Sequence, residues 1–446
     1  MSFPCYSAYK DSGVEWLGEV PQGWDLKPIK TISTINDEVL PESTAGDFEL
    51  NYVDIGSVSL DAGIEKTEAF CFKDAPSRAR RLVKHGDIVV STVRTYLKAI
   101  AAIKNPIENM IVSTGFAVIR PKPDVYISHF AKYSLQSLNF VDEVISRSTG
   151  ISYPAINATD LIRIRIPVPS IAEQTTIAAF LDCETAKIDN LINKQKKLIE
   201  LLKEKRQAVI STAVTKGLNP HAPMKESGVE WLGKVPEHWE VKPLKTVILK
   251  IIDNRGRTPP FGDEGIAMLE VKQITEGVKY PSDSFEKFVP ESILKNFERE
   301  KVKENDILIT TVGATSGKCV LVNKNPNYFI AQNVVGIRVI STVESTYLWY
   351  MMSSDFFYHS LIRINKSNTI DNLKVSIFIN NLCTTPSLEE QTTIVAFLDQ
   401  ETAKIDNLIQ QAQKATTLLQ ERRTALISAA VTGKIDVRNK SLPASL

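Results

Sequence analysis

The chain is written twice. Lys10-Asp-Ser-Gly-Val-Glu-Trp-Leu-Gly18 returns as Lys225-Glu-Ser-Gly-Val-Glu-Trp-Leu-Gly233, an offset of 215 residues. Ala179-Phe-Leu-Asp-Cys-Glu-Thr-Ala-Lys-Ile-Asp-Asn-Leu-Ile192 returns as Ala396-Phe-Leu-Asp-Gln-Glu-Thr-Ala-Lys-Ile-Asp-Asn-Leu-Ile409, an offset of 217. Solenoid repeats run to roughly 20 to 50 residues, so a repeat this long is a whole module and the expected product is a pseudo-dimer made from one chain. Two to four domains of about 100 to 200 residues fit 446 residues, and the repeat decides where to divide them.

Each copy has the same order: an opening motif, a mixed body, a Pro-Ser punctuation and a long helix. The opening motifs, Trp16 to Trp24 and Trp231 to Trp239, carry Gly and Pro with paired tryptophans suited to anchoring a loop on a core. The bodies hold β-branched runs, Asp87-Ile-Val-Val-Ser-Thr-Val93 and Asp306-Ile-Leu-Ile-Thr-Thr-Val312. A shared turn, Lys104-Asn-Pro106 and Lys324-Asn-Pro326, precedes the apolar runs Met110-Ile-Val112 and Tyr328-Phe-Ile330. Layout is repeated while most letters are not.

After Ser170 and Ser387, which suit a helix N-cap, each copy continues as a helix of about 40 residues, to Val214 and Val431. Seven-residue spacing links Leu181, Ile188, Gln195, Leu202 and Val209, with Leu191 and Leu198 between; the second helix repeats it with Leu398, Ile405, Ala412, Leu419 and Leu426, and Leu408 stands where Leu191 does. Such a stripe needs a partner, and the simplest partner is the other helix, with Gln195 opposite Ala412 as a polar break setting register. The expected fold is α+β: two globular domains related by a pseudo-two-fold and separated by two long antiparallel coiled-coil helices. The divisions fall at 1–168, 169–216, 217–385, 386–436 and a tail, 437–446.

Net charge is +1, from 53 Lys and Arg against 52 Asp and Glu, so a nucleic-acid partner would require basic residues gathered on one face or charge borrowed from another subunit. No apolar run approaches the ~20 residues of a membrane span, and the first residues lack a secretory pattern, which points to the cytoplasm. Five scattered cysteines with no Cys-x-x-Cys spacing read as reduced thiols, and five histidines form no ligand spacing, so no metal is expected.

Chemical motifs fail on inspection. Gly313-Ala-Thr-Ser-Gly-Lys318 has three residues between its glycines where a phosphate loop needs four, and Cys319 replaces the Mg²⁺-holding hydroxyl. Asn325-Pro-Asn-Tyr328 is one residue from an amino-methyltransferase box, yet its counterpart Asn105-Pro-Ile107 shows that only the turn is shared. No catalytic residue is assigned, because a duplicated catalyst would repeat its acids, bases or ligands.

Pro169-Ser-Ile-Ala-Glu-Gln174-Thr-Thr-Ile177, the Phe-Leu-Asp-x-Glu-Thr-Ala-Lys-Ile-Asp runs and the Ser-Gly-Val-Glu-Trp-Leu-Gly openings resemble the specificity subunits of type I restriction-modification enzymes over nearly the whole chain. The resemblance implies two target recognition domains, each reading half of a split site in double-stranded DNA, with the repeated helices setting the spacer and docking two modification subunits. It implies no catalytic centre here: S-adenosylmethionine belongs to the modification subunits, and ATP and Mg²⁺ to restriction subunits. A self-sufficient DNA adenine methyltransferase and a non-DNA coiled-coil scaffold with two binding heads are the rival readings.

Loops after strands are the expected DNA contacts. In the first body these are Thr92, Arg94, Tyr96 and Lys98, with Arg147, Ser148, Thr149 and Tyr153 from a loop resembling a glycine-containing loop of the family. In the second they are Thr311, Thr315, Ser316 and Lys318, with Arg363, Asn365 and Lys366, where the Ser-Thr-Gly step is missing. Arg or Lys suits guanine O6/N7 and Asn suits adenine N6/N7, while Lys98, Lys318 and Lys366 also suit phosphate. Helix pairing is assigned to Leu181, Ile188, Leu191, Leu198 and Leu202 with Leu398, Ile405, Leu408 and Leu419.

Overall fold

The computed structural model describes residues 3–229, 232–256, 259–297, 301–324, 326–365 and 373–439. It divides into two compact units, Met1–Lys196 with Lys414–Leu446, and Lys197–Gln413. The long helices run over Ile171–Lys216, 46 residues, and Leu388–Val431, 44 residues. Each unit is therefore built from one body, the start of one long helix and the end of the other.

Both helices begin where the serines predict. Ser170 Oγ accepts from the Glu173 amide at 3.3 Å and Ser387 Oγ from the Glu390 amide at 3.2 Å, satisfying donors that a first helical turn leaves open. Both end at a left-handed glycine, Gly217 at φ 72° and Gly433 at φ 74°. Gly433 has no alternative, since a Cβ there would lie 2.3 Å from Pro21 of the first opening motif.

Within the first unit the helices are antiparallel. Glu173 accepts from Tyr6, on whose ring Arg438 sits, while sixteen residues on, Asp189 accepts from Arg423 at 2.8 Å. In the second unit Gly217 lies beside Glu390, and Arg206 donates to Asp406 at 2.9 Å. The two ion pairs are one contact made twice, because Asp406 and Arg423 are Asp189 and Arg206 displaced by 217 residues.

The buried stripe corrects the predicted phase. Leu181, Ile188, Leu202, Leu398 and Ile405 are buried and Leu419 is partly buried. Leu191, Leu198 and Leu408 are 46%, 44% and 48% exposed and stand outside the stripe. The intermediate positions are Thr185, Ile192 and Thr402, four residues after the heptad leader rather than three. At 100° per residue, that one-step slip turns Leu191 away from the seam. Gln195 and Ala412 occupy the same place in the two copies of the repeat, and within the first unit the Asp189–Arg423 register brings Gln195 level with Thr417.

In the first body, Ile88–Ser91 lies between Ile100–Ala102 and Phe116–Pro121, with Ser33–Ile35 at the edge, all antiparallel. The second body repeats the order with Ile307–Thr310 between Cys319–Leu321 and Val334–Val339, and Ile248–Ile252 at the edge. A further sheet in each holds the parallel pair Glu49–Val53 with Met110–Ser113, or Ile266–Leu269 with Tyr328–Ile330. Trp24 and Trp239 are buried in the cores that also take the helix faces, as expected of anchors, and Trp16 packs against the first core; Trp231 lies outside the described residues.

Candidate nucleic-acid interface

Buried polar contacts, made once in each unit, hold the loops in place. Gln174 accepts from the Ile127 amide at 2.9 Å and donates to the carbonyls of Val125 and Pro169. Gln391 does the same with the Glu344 amide and the Thr342 and Pro386 carbonyls. Tyr133 donates to Asp182 at 2.6 Å and meets Thr185, as Tyr350 donates to Asp399 at 2.7 Å and meets Thr402. Burial, with each neighbouring carboxylate adding to it, raises both phenol pKa values well above 10. These contacts explain the repeated Ser-x-x-x-Gln and Asp-x-x-Thr letters: they seat each body on its helix.

Beneath the candidate loops, Asp87 and Asp306, each 1% exposed, take bidentate hydrogen bonds from Arg120 and Arg338, all at 2.8 Å. Each aspartate also accepts the backbone amide three residues before it, from Lys84 or Lys303 at 2.7 Å. The turn entering the central strand is fixed at the strand's base. The loop leaving its far end is free to vary.

In the first unit the two predicted loops meet. Thr95 Oγ1 donates to Ser148 Oγ at 2.8 Å, the Ile156 amide donates to the Thr92 carbonyl at 2.9 Å, and Val93 bridges Ala155. The Arg94 guanidinium sits over the Tyr153 ring, 5.0 Å from its centroid. Tyr96 and Tyr153 are 51% and 65% exposed, and Arg94 and Thr149 are exposed, while Lys98 is partly buried. Thr92 and Ser148 are committed to the loop itself, bonding the Gly115 and Val144 carbonyls. Arg147 is paired with Glu143 at 2.6 Å.

The second unit repeats the pinning, with the Leu373 amide donating to the Thr311 carbonyl at 2.7 Å, but turns its side chains differently. Thr311 and Ser316 are 3% and 2% exposed, which corrects their assignment as contact groups. Thr311 Oγ1 donates to the Asn333 carbonyl, and Thr315 offers its carbonyl to Thr310. Lys318 is paired with Glu276 at 3.1 Å, and Cys319 beside it is a buried thiol pushed up to about 12 by desolvation. Arg363 is exposed; the Asn365 side chain, Lys366 and Asn325 lie outside the described residues.

Sequence reasoning missed three cations of the first unit. Arg163 and Arg165 line a groove with Arg147 and the opening motif residues Gly13 and Trp16. Their signal was present: Arg163-Ile-Arg165-Ile alternates exposed Arg with buried Ile. Arg78 is exposed and its carbonyl accepts from Thr114, next to the Gly115 that binds Thr92. The five cysteines are unpaired, and among the described residues no cluster of three or more His, Cys, Asp or Glu is placed to hold a metal. Among the described residues no helix is long and apolar enough to cross a membrane.

A duplicated α+β binding module is what these features define, with a repeated interior and loops that differ. The family model described as type I restriction modification DNA specificity domain matches at residues 28–201 and again at 236–416, and the chain belongs to that family, with two copies of its domain. It is 25% identical over 446 residues to the type I restriction enzyme MjaIX specificity subunit of Methanocaldococcus jannaschii, covering 94% of this chain and 95% of that one. It is 22% identical over 440 residues to the EcoKI specificity subunit of Escherichia coli K12, covering 94% and 90%. A chain from a type I R-M system solved for its complex assembly and conformational transition superimposes with a TM-score of 0.72 at 22% identity, over 92% of this chain and 98% of that one. The HsdS subunit from Thermoanaerobacter tengcongensis gives 0.50 at 22%, over 93% and 98%. These likenesses carry the fold.

Proposed function

We propose that this chain reads a bipartite, non-palindromic site in double-stranded DNA, each unit addressing one half. The observation that carries this is the duplicated interior with unlike loops, which is what two different half-sites ask of one scaffold. The paired helices set the gap between halves, and their exposed faces dock two modification subunits. Chemistry belongs to the partners in the cytoplasm: S-adenosylmethionine to the modification subunits, ATP and Mg²⁺ to the restriction subunits. Near-zero net charge fits this division, because partner subunits then supply much of the phosphate contact behind non-specific affinity.

The test is to co-express the chain with its neighbouring modification subunit, in a host lacking other methylation, and to map methylated adenines genome-wide. A split motif that disappears without the chain supports the reading. Methylation that persists unchanged without it reduces the chain to a scaffold.

A further inference from the structure

We infer that Arg94 reads a guanine in the half-site addressed by the first unit, an inference that rests on the reading of the chain as a DNA-specificity subunit. The loop leaving the central strand turns left-handed at the same two places in both units. Counting from Thr310, the third and seventh residues are Gly313 and Gly317, at φ 74° and 90°. Counting from Ser91, the same places hold Arg94 and Lys98, at φ 51° and 52°. Left-handed backbone disfavours any Cβ, so backbone energetics alone would select glycine, as in the second unit. What the arginine contributes must come from its side chain.

That side chain is prepared for recognition. Its guanidinium stacks on Tyr153, whose loop is held by the Thr95–Ser148 hydrogen bond and by the Thr149–Ala155 and Val93–Ala155 bridges. Stacking occupies the face of a guanidinium and leaves its in-plane donors available, the fork that matches guanine O6 and N7. Arg147 and Lys318 are each neutralised by a glutamate, whereas among the described residues no ion pair engages Arg94. The contact has no equivalent at Gly313, so its loss must alter one half-site only.

The experiment repeats the methylation map with Arg94→Gly, which suits the φ of 51°, and with Arg94→Lys, a side chain the same loop already tolerates at 98. Co-purification with the modification subunit checks that each variant assembles. Arg94→Gly should lose preference at one G·C position of one half-site, by roughly ten- to a hundredfold, and Arg94→Lys, which keeps the charge without the planar fork, should lose part of it at the same position, with the other half and the spacer unchanged. Tyr153→Ala should weaken the same position and Tyr153→Phe should preserve it. An unchanged motif, methylation reduced evenly over all sites, or a change confined to an A·T position would overturn the inference while leaving the bipartite reading intact. Absence of any split motif with the unaltered chain would instead remove the reading on which the inference rests.

Discussion

The two units share an interior and differ at their tips. Gln174 and Gln391, Tyr133 and Tyr350, and Asp87 and Asp306 make the same contacts, at the same distances to within a few tenths of an ångström. At the tips, an exposed Arg94 on Tyr153 stands where the second unit has Gly313, and Lys318 is bound to Glu276. Positions that seat a body on its helix tolerate little change, because a buried polar group without its partner is costly. Loop tips face water and carry no such penalty, so one scaffold supports two surfaces.

The comparison is broken most severely by charging the helix seam. Ile188→Asp and Ile405→Asp, at equivalent positions each 4% exposed, should each cost about 4 kcal/mol by burying an unpaired carboxylate. Leu191→Glu and Leu408→Glu, three residues further along, should change stability by less than about 0.5 kcal/mol. Thermal unfolding of the four variants separates the observed stripe from the predicted one. A large loss at Leu191 would restore the predicted phase.

Next in size are the arginine–aspartate pairs beneath the loops. Asp87→Ala and Asp306→Ala each leave a partly buried guanidinium without its carboxylate, and each should cost about 3 kcal/mol. Arg120 also reaches Glu38 at 2.8 Å, so the first unit has a second carboxylate in place when Asp87 is removed. Glu38→Ala is therefore expected to deepen the loss in Asp87→Ala. An equal loss with and without Glu38 in denaturant unfolding would show that Glu38 compensates nothing.

How far these contacts could be read from letters depends on their range. Helix starts, central strands and the repeat itself were legible because caps, alternation and spacing are local. The heptad phase was not, since Leu191 and Ile192 are both apolar and only packing chooses between them. The partners of Asp182 and Asp399 were hidden for another reason: each tyrosine lies 49 residues upstream, at a distance no periodicity reports. In the candidate site, the letters placed loops at the strand ends but did not distinguish the exposed Arg94 from the buried Thr311 and Ser316. Burial at a loop tip follows from tertiary closure, here a bond to the Asn333 carbonyl.

The glutamines give a finer comparison. Gln174→Ala and Gln391→Ala each remove three hydrogen bonds and strand one buried amide, so about 2 kcal/mol is expected for each. Gln391 donates to Thr342 at 3.2 Å where Gln174 donates to Val125 at 2.8 Å, so Gln174→Ala should cost slightly more. Amide exchange at Ile127 and Glu344 would locate the opening.

The smallest effect is the most diagnostic of the repeated helix pairing. Asp189–Arg423 and Arg206–Asp406 are partly exposed pairs, worth at most about 1 kcal/mol each and weakened by salt. They are also the same contact of the repeat made in different units, so each is tested within its own unit. Reversing one pair, as Asp189→Arg with Arg423→Asp, should restore most of what either single reversal loses. Because the helices are antiparallel, Asp189→Arg combined with Arg206→Asp reverses both positions of one helix and puts like charges into both pairs. That variant should lose about the sum of the two single reversals, with no rescue, since distant sites without shared partners add. Rescue in the second combination and not in the first would mean that Asp189 and Arg206 act on each other and not across the helix pair, and the antiparallel register would fall with it.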